Sequence, residues 1–284
     1  RPVILGPVTL LKLGKSQEEG FDPLALLPRL LPVYEELLRR LKLAGADWVQ
    51  IDEPALVLDL IPNERDAFRF AYGRLARAAP ELKIMLATYF GALGDNLDTA
   101  LALPVAGLHV DLVRAPEQLE TVGRLAPKEL VLSLGLIDGR NVWRADLPAI
   151  LDRIKPVVAG WPLDRIEIAP SCSMLHVPID LELETALDAD VKSWLAFAAQ
   201  KTDELVVLAR ALSEGRSAVL ARLKASSEAA AARAASPKVH DPLVEGRLAG
   251  GTEAMKRRNS GFAARSRVQH EKLGLPAFPT TTIG

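Results

Sequence analysis

The chain has 284 residues, of which 49% are hydrophobic and 25% charged, a composition that excludes a disordered or fibrous protein. Its formal net charge of -1 excludes recruitment of nucleic acid or an anionic membrane by an overall positive field. The single cysteine excludes an intrachain disulfide and is typical of a reducing compartment. No apolar run approaches the roughly 20 residues of a membrane-spanning helix.

Short apolar segments alternate with amphipathic ones along the first part of the chain. The predicted strands are 3–10, 48–54, 83–90, 107–113, 129–140 and 165–175. Between them lie helical patterns, such as 26–46, with apolar residues at i, i+3, i+4 and i+7 spacing and a stop at Ala44-Gly45-Ala46. Strands that alternate with helices predict parallel βα units, and we expect such strands to be buried on both faces and almost continuously apolar.

Two architectures fit this alternation, an open doubly wound sheet and a barrel. No Gly-x-Gly-x-x-Gly follows any predicted strand, which removes the commonest dinucleotide-binding form of the open sheet. We therefore predict an α/β fold: a (β/α)8 TIM-type barrel with six of its eight strands, lacking its first two units and followed by C-terminal helices.

The pattern changes after about residue 180. Residues 183–215 are predicted to form one long helix and 216–236 an Ala-rich second one. Residues 237–275 are polar, and their basic residues favour a solvated helix face or an interdomain contact over an anionic partner: Lys256, Arg257, Arg258, Arg265 and Arg267. PAFPTTTIG then resembles an extended linker that enters a new strand. We expect residues 1–235 to be a barrel with trailing helices and 236–284 to be a linker, with both ends of the chain continuing into further sequence.

Polar residues stand where the predicted strands end, which in a barrel is the end that carries the chemistry. These residues are Asp52-Glu53-Pro54, Thr88-Tyr89, Asp111, 138–141 and 171–173. Asp52 and Glu53 point to opposite sides of a regular strand, so they are not expected to form an acid/base pair. Either Asp52 binds a ligand amine or a polar group of a neighbouring strand, or backbone N–H groups or an arginine satisfy both carboxylates.

Three further groups of residues allow more than one interpretation. His109 and Asp111 share a face and could hold a metal, or form a buried hydrogen-bonded pair. Cys172 could be a nucleophile or a thiolate ligand, although no second cysteine or suitably spaced histidine supports this; His176 would share its face only on a helix. In GRNVWR, the group Arg140, Asn141 and Arg144 could bind a carboxylate or phosphate, or join loops. Spacing alone therefore predicts a barrel with a polar mouth and no particular reaction.

Longer stretches are more specific. The sequence contains, in one order, GPVTLLKLGK, LLPVYEELL, WVQIDEPALVLDL, ATYF, NLDTALALPVAGLHVDLV, GLIDGRNVWRADL, SCSMLHVPIDLELET, DADVKSWLAFAAQK and PAFPTTTIG. Together they resemble the cobalamin-independent methionine synthase family over nearly the whole chain, and less so across about 213–262.

The resemblance implies an N-terminal barrel and linker of a two-barrel, monomeric, cytoplasmic methyltransferase. That family transfers a methyl group from 5-methyltetrahydropteroyltri-L-glutamate to L-homocysteine to form L-methionine. Its C-terminal barrel carries a zinc ion that binds the homocysteine thiolate, and zinc makes a thiol a nucleophile at neutral pH. The implied partners of the full-length enzyme are these two substrates and its own C-terminal barrel.

The resemblance also carries over individual residues. Asp52 stands where a similar block of the catalytic barrel supplies an aspartate to the homocysteine amino group. Asp111 and Cys172 stand about where two zinc ligands would be, but Leu86-Ala87-Thr88 stands where the catalytic barrel has a His-x-Cys pair. The resemblance therefore implies no zinc in this barrel. Ile283 and Gly284 match the first two members of an Ile-Gly-Ser run that binds homocysteine.

We expect a scaffold segment without catalytic residues, inactive by itself, in which Asp52, Asp111, Asn141 and Cys172 are residues of the barrel mouth. Two rival hypotheses remain. The chain could be a stand-alone barrel enzyme that uses Asp52, Asp111 and Cys172 for acid/base or metal chemistry. It could also be a folate-binding or degenerate barrel module without catalysis.

Overall fold

The structure, a computed structural model, describes residues 1–274 and residue 276. Its contacts divide the chain into one unit of residues Arg1–Ala234 and a second unit that begins at Ala235. The first unit contains every strand that the structure describes. Within the described residues no helix is long and apolar enough to cross a membrane.

Six strands confirm the six predicted ones. They are β1 Val3–Leu5, β2 Trp48–Asp52, β3 Lys83–Ala87, β4 Gly107–Asp111, β5 Val131–Ile137 and β6 Ile166–Pro170. The helices of the first unit are α1 Pro7–Leu13, α2 Leu27–Leu43, α3 Pro62–Ala78, α4 Leu97–Leu101, α5 Gln118–Leu125, α6 Leu147–Val158, α7 Ala189–Ser193, α8 Ala198–Ser213 and α9 Leu220–Ala235. Asp52 and Asp111 are the last residues of β2 and β4, and the polar residues predicted at the ends of β3, β5 and β6 lie in the loops that follow those strands at the carboxyl edge of the sheet.

All neighbouring strands are parallel and follow the order β1-β2-β3-β4-β5-β6. The sheet is not closed, since in the described chain β1 pairs only with β2 and β6 only with β5. The Arg1 guanidinium at the start of β1 nevertheless forms an ion pair with Glu167 in β6. The fold is therefore α/β with the sequential parallel strands of a (β/α) barrel and two strand edges without a partner strand.

The two faces of the sheet differ, which corrects the expectation of almost continuously apolar strands. On one face Val49, Ile51 and Leu86 are fully buried in a core shared with residues of α2, α3 and α5. On the other face the register places polar or small residues of successive strands side by side: Asp52, Ala87, His109, Ser133 and Glu167. The alternation of period two thus separates an apolar packing face from a polar inner face.

The first predicted strand, 3–10, is wrong after Leu5. Gly6 precedes the helix α1, whose first residue is Pro7, a residue without the N–H that a continuing strand would need. A Cβ on Gly6 would lie 2.0 Å from Cδ of Glu53. The glycine is therefore required because the Glu53 side chain enters directly beneath the start of α1.

The long helix predicted for 183–215 is also wrong. The chain forms α7 and α8, and the residues between them leave the helix and pair with the loop after β5. The Ala196 N–H donates to the Val142 carbonyl at 2.9 Å, and the Arg144 N–H donates to the Trp194 carbonyl at 2.8 Å. Trp194 and Phe197 are buried. Tertiary hydrogen bonds and burial thus override the local helical pattern. The Ala-rich helix predicted for 216–236 is confirmed by α9 and the short turn before it.

The second unit contains α10 Pro242–Ala249 and α11 Phe262–Leu273. Neither helix has a buried residue. Lys256 forms an ion pair with Glu253, and the Arg265 guanidinium lies 6.0 Å from the ring centre of Phe262. Of the five basic residues of this segment, Arg265 is half-buried and the other four are exposed.

Candidate functional site

Asp52 lies at the end of β2 on the polar inner face and is held by two side chains. Its Oδ1 accepts from Gln50 Nε2 at 2.8 Å, and its Oδ2 accepts from the Tyr89 hydroxyl at 3.2 Å. Burial raises the pKa of Asp52, and these two hydrogen bonds oppose that rise. Among the interpretations given for Asp52, this agrees with a contact to a polar group of a neighbouring strand, because Tyr89 follows the end of β3.

Glu53 points the opposite way from Asp52, as the strand geometry predicted. Its side chain is fully buried and accepts from the Thr9 N–H at 2.8 Å, the Val8 N–H at 3.4 Å and the Tyr72 hydroxyl at 3.4 Å. Burial raises the pKa of Glu53 to about 7, against those hydrogen bonds. Glu53 therefore joins β2 to the first turn of α1, and it does not face the inner surface of the sheet.

His109 and Asp111 do not bond to each other, although they share a face. His109 Nδ1 lies 2.9 Å from the Ser133 hydroxyl, and Nε2 lies 3.4 Å from the Ser171 carbonyl. Burial lowers the pKa of His109, which favours the neutral imidazole. His109 is thus a buried, hydrogen-bonded histidine that links β4 to β5 and to the loop after β6.

Asp111 accepts hydrogen bonds from three backbone N–H groups. They belong to Phe90, at 3.0 Å, and to Val113 and Arg114, both at 2.9 Å. Phe90 has a φ of 77°, the left-handed region that an aromatic side chain rarely adopts. Asp111 therefore fixes the loop after its own strand and the strained turn after β3, and both carboxylate oxygens are engaged in doing so.

Cys172 is buried in the loop after β6. Its sulfur lies 3.7 Å from the Ser173 carbonyl, and a Cβ on Gly139 would come within 2.9 Å of that sulfur. Burial raises the pKa of the Cys172 thiol, which disfavours the thiolate that a nucleophile or a metal ligand needs. His176 contacts the Phe90 ring edge-on, with centroids 6.1 Å apart, and is not paired with the thiol.

The loop residues of GRNVWR have different surroundings. The Arg140 guanidinium lies 5.0 Å from the centre of the Phe90 ring. Asn141 Nδ2 donates to Asp138 Oδ2 at 2.7 Å, and Asn141 Oδ1 accepts from the Trp143 N–H at 3.0 Å. Asn141 therefore holds the shape of its own loop through these two hydrogen bonds.

Sequence reasoning missed two buried charges on α8, Lys201 and Glu204. Lys201 Nζ donates to the Trp143 carbonyl at 3.1 Å, and Glu204 Oε1 accepts from the Ala145 N–H at 2.9 Å. The signal was present, because both residues share helical spacing with the buried Leu208 and Ala211. Charged residues on the apolar face of a helix hold the loop after β5.

The candidate zinc positions do not fit a zinc site. Asp111 is engaged by three N–H groups, the Cys172 thiol is kept protonated by burial, and the Thr88 hydroxyl donates to the His109 carbonyl at 2.8 Å. Among the described residues, no three His, Cys, Asp or Glu side chains are grouped so as to hold a metal ion. Structural zinc takes four nitrogen or sulfur donors, which this region does not offer. Ile283 and Gly284, predicted to contact homocysteine, lie outside the described residues.

Comparisons with known proteins agree on one family. A family model described as cobalamin-independent synthase, N-terminal domain, matches residues 1–160. A relative from Mesorhizobium japonicum is 82% identical over the whole chain, and one from Caulobacter vibrioides is 60% identical. Both are named 5-methyltetrahydropteroyltriglutamate–homocysteine methyltransferase, and the chain spans 37% of the length of each.

A solved structure gives the same fold. It is a B12-independent methionine synthase from a Shewanella species in complex with selenomethionine, with a TM-score of 0.50 at 16% sequence identity. The match covers 78% of this chain and 62% of that one. At this identity the likeness supports the sequential parallel barrel fold alone. With the family model covering β1 to α6 and close relatives matching from end to end, the chain belongs to the cobalamin-independent methionine synthase family, in the region of its N-terminal domain.

Proposed function

We propose that this chain is the N-terminal scaffold part of an enzyme that transfers a methyl group from 5-methyltetrahydropteroyltri-L-glutamate to L-homocysteine, forming L-methionine. The observation that carries the proposal is the 82% identity, over every residue of the chain, to a relative named for that reaction. In this proposal the zinc ligands and the catalytic residues lie outside the chain, the protein is a cytoplasmic monomer, and residues 236–284 are the linker to the catalytic barrel.

The geometry of the strand ends supports a scaffold role. Asp52, Asp111, Asn141 and Cys172 each contact groups of the same chain, and the oxygen atoms of Asp111 are used by backbone donors. A catalytic acid, base or nucleophile needs a free face toward substrate. These residues instead hold the loops at the carboxyl edge in fixed positions.

An exposed apolar surface at that edge supports docking of the catalytic barrel. We call it the β6 surface: it consists of Leu175, Ile179 and Leu183, which follow the carboxyl end of β6. Their exposed fractions are 91%, 79% and 76%. Large exposed apolar side chains can mark an interaction site. The relatives contain a further 63% of their length with which to cover these three. The proposed occupant is the C-terminal barrel of the same polypeptide.

The experiment uses the full-length protein. In a methionine-forming assay, Cys172→Ser should leave kcat and zinc content unchanged, because the thiol takes no part in catalysis. The double variant Ile179→Asp and Leu183→Asp should lower turnover, because charges in the docking surface oppose its burial. Leu43→Asp is the matched control: Leu43 is 87% exposed at the end of α2, on the opposite edge of the sheet.

A large loss of kcat or of zinc in Cys172→Ser would refute the scaffold role. Equal losses in Leu43→Asp and in the double variant would refute docking at the β6 surface. If the 284-residue chain alone formed methionine, the placement of the catalytic residues outside it would be wrong.

A further inference from the structure

A cleft of the first unit lies between α7, α8, α9 and the start of α6. Its volume is about 480 Å³, within the range of small-molecule pockets. Its apolar lining consists of Leu147, Leu181, Ala189, Leu195 and Ala196. We call it the α8 cleft, because α8 contributes the polar side chains Gln200, Asp203 and Glu204 to its wall. An apolar lining with a few polar groups suits a small molecule that has an apolar body and a polar head.

The neutral polar side chains of the α8 cleft already have partners. Gln200 Nε2 donates to Asp180 Oδ1 at 2.7 Å, and Gln200 Oε1 accepts from the Leu181 N–H at 3.1 Å. The Ser226 hydroxyl of α9 accepts from the Leu147 N–H at the start of α6. These groups hold the walls of the cleft together.

Four of the charged side chains are paired with each other. Lys192 Nζ lies 3.7 Å from Glu182 Oε2, and Arg222 Nη2 lies 3.9 Å from Asp203 Oδ2. The Ser193 hydroxyl, at the same wall as Lys192, donates to a carbonyl of its own helix. What remains of the polar lining is one carboxylate, on Glu204, and one guanidinium, on Arg144.

Glu204 has a buried oxygen atom without a partner. The residue is 5% exposed, and its Oε1 accepts from the Ala145 N–H at 2.9 Å. Its Oε2 is buried and has no hydrogen-bond partner. Burial raises the pKa of Glu204, against the bond from Ala145 and the nearby cationic charges. Whether this oxygen carries the charge or a proton, leaving it unbonded is unfavourable, so a group from outside the chain would complete the arrangement.

Arg144 is the second polar side chain of the α8 cleft without a partner. Its backbone is fixed, because its N–H donates to the Trp194 carbonyl at 2.8 Å. Within the described residues its guanidinium has neither a carboxylate at ion-pair distance nor a hydrogen-bond acceptor. Its charge still opposes the rise in the pKa of Glu204, so the two side chains are neighbours that do not touch. The cleft thus offers an acceptor oxygen next to a group of donors.

We propose that the α8 cleft binds a small molecule with a carboxamide group on an apolar body, its N–H toward Glu204 and its carbonyl toward Arg144. A carboxamide has both donors and an acceptor, so one group matches both unpartnered side chains, and it can bond to Glu204 in either protonation state. A carboxylate would meet Glu204 with like charge, and an ammonium would meet Arg144 in the same way. A neutral amide also loses less on leaving water than an ion does. This binding is separate from methyl transfer.

Isothermal titration calorimetry on the full-length protein tests the proposal with three probes that share one apolar body. They are cyclohexanecarboxamide, cyclohexanecarboxylate and cyclohexylmethylamine, which offer a donor and an acceptor, an acceptor only and donors only. The carboxamide should bind saturably, with a Kd at least about tenfold lower than that of either ion, because each ion leaves one of the two protein groups unpaired.

Two substitutions locate the binding. Glu204→Gln presents donors where the acceptor oxygen stood, and Arg144→Gln removes the guanidinium; each should raise the Kd of the carboxamide about tenfold. The matched controls are Glu214→Gln and Arg210→Gln, which alter an exposed ion pair at the end of α8, outside the cleft. Both controls should leave Kd unchanged. Thermal unfolding verifies that each variant is folded, and Arg144→Gln alone decides if Glu204→Gln is not.

The proposal is overturned if the carboxamide produces no saturable heat, or if either ion binds as tightly as the carboxamide. It is also overturned if the folded cleft variants keep the Kd of the wild type, or if the controls weaken binding as much as they do. None of these readouts involves methionine formation, so the proposed function stands or falls separately.

Discussion

At the scale of single residues, the adjacent acids at the end of β2 have different roles. Asp52 belongs to the polar inner face and contacts Gln50 and Tyr89. Glu53 is buried on the other side, where it accepts from the first turn of α1. A carboxylate near the first N–H groups of a helix is favourable, while its removal from water is not. The effect of burial outweighs that of the hydrogen bonds, so the pKa of Glu53 rises to about 7.

This pKa makes the stability depend on pH in a definite direction. Between pH 4.5 and about 7 the folded state binds a proton that the unfolded state has lost. The contribution of Glu53 to the free energy of unfolding is therefore greatest below that window and falls as pH rises through it, by about 3 kcal/mol in all. Urea denaturation of the wild type and of Glu53→Gln across the window measures this fall.

Glu53→Gln should be less stable than the wild type at low pH, because its amide group meets N–H donors, and its stability should fall less with pH. The control is Glu81→Gln, at an exposed position, which should keep the slope of the wild type. Parallel slopes for the wild type and Glu53→Gln would show that Glu53 titrates normally.

Gly6 depends on the same carboxylate. Gly6→Ala would place a Cβ 2.0 Å from Cδ of Glu53, so the side chain must leave its position below α1. We expect a loss of about 1–3 kcal/mol in the free energy of unfolding, as for other overpacked sites. Gly73→Ala, in the middle of α3 and 3.7 Å from the flexible end of Arg77, should instead gain about 0.5–1 kcal/mol. A neutral Gly6→Ala would contradict the close packing.

At the scale of elements, one buried hydroxyl joins α9 to the start of α6. The Ser226 Oγ accepts from the Leu147 N–H at the start of α6 at 3.3 Å and donates to the Leu223 carbonyl at 2.8 Å. Ser226→Ala leaves that buried N–H without an acceptor and should cost about 1–3 kcal/mol of unfolding free energy. Chemical denaturation measures the loss.

The matched control is Ser213→Ala on α8. Ser213 is exposed, and its hydroxyl donates to a carbonyl of its own helix at 3.1 Å. The free energy of unfolding should change by no more than about 0.5 kcal/mol. Equal effects of the two substitutions would mean that the contact between α9 and α6 does not stabilise the fold.

Hydrophobic periodicity was sufficient to predict every strand of the described chain and helices such as α2. It failed between α7 and α8, because the pairing of residues 194–197 with the loop after β5 is a tertiary contact that no local pattern records. It also failed at Gly6, where the reason for the glycine lies in a side chain that is distant in sequence.

The candidate site shows the same limit: what depends on one strand was predicted, and what depends on a contact between distant segments was not. That Asp52 and Glu53 face opposite ways was predicted from strand geometry alone. The hydrogen bond from the Phe90 N–H to Asp111 was not predicted. It joins the ends of two strands and depends on the left-handed backbone conformation of Phe90. Arg144 and Asn141 were singled out from the sequence, but Lys201 of α8, which donates to the Trp143 carbonyl of the same loop, was not.

At the scale of the whole molecule, the two units should differ in resistance to proteolysis. The helices of the second unit have no buried residues, so little free energy opposes their local opening. Limited trypsin digestion should cut first at exposed basic residues there: Arg247, Lys256, Arg257 and Arg258. Mass spectrometry should then find a resistant fragment that contains β1 to α9. Earlier cleavage within α2, α3 or α8 would contradict the proposed boundary near residue 235.

The order of the strands has a consequence for synthesis. Each described strand after β1 hydrogen-bonds to the strand that precedes it in the chain. As the polypeptide leaves the ribosome, every new βα unit therefore meets a partner strand that has already been made. The sheet therefore grows by one strand at a time, and the unpaired edge of the last strand made is covered by the strand that is translated next.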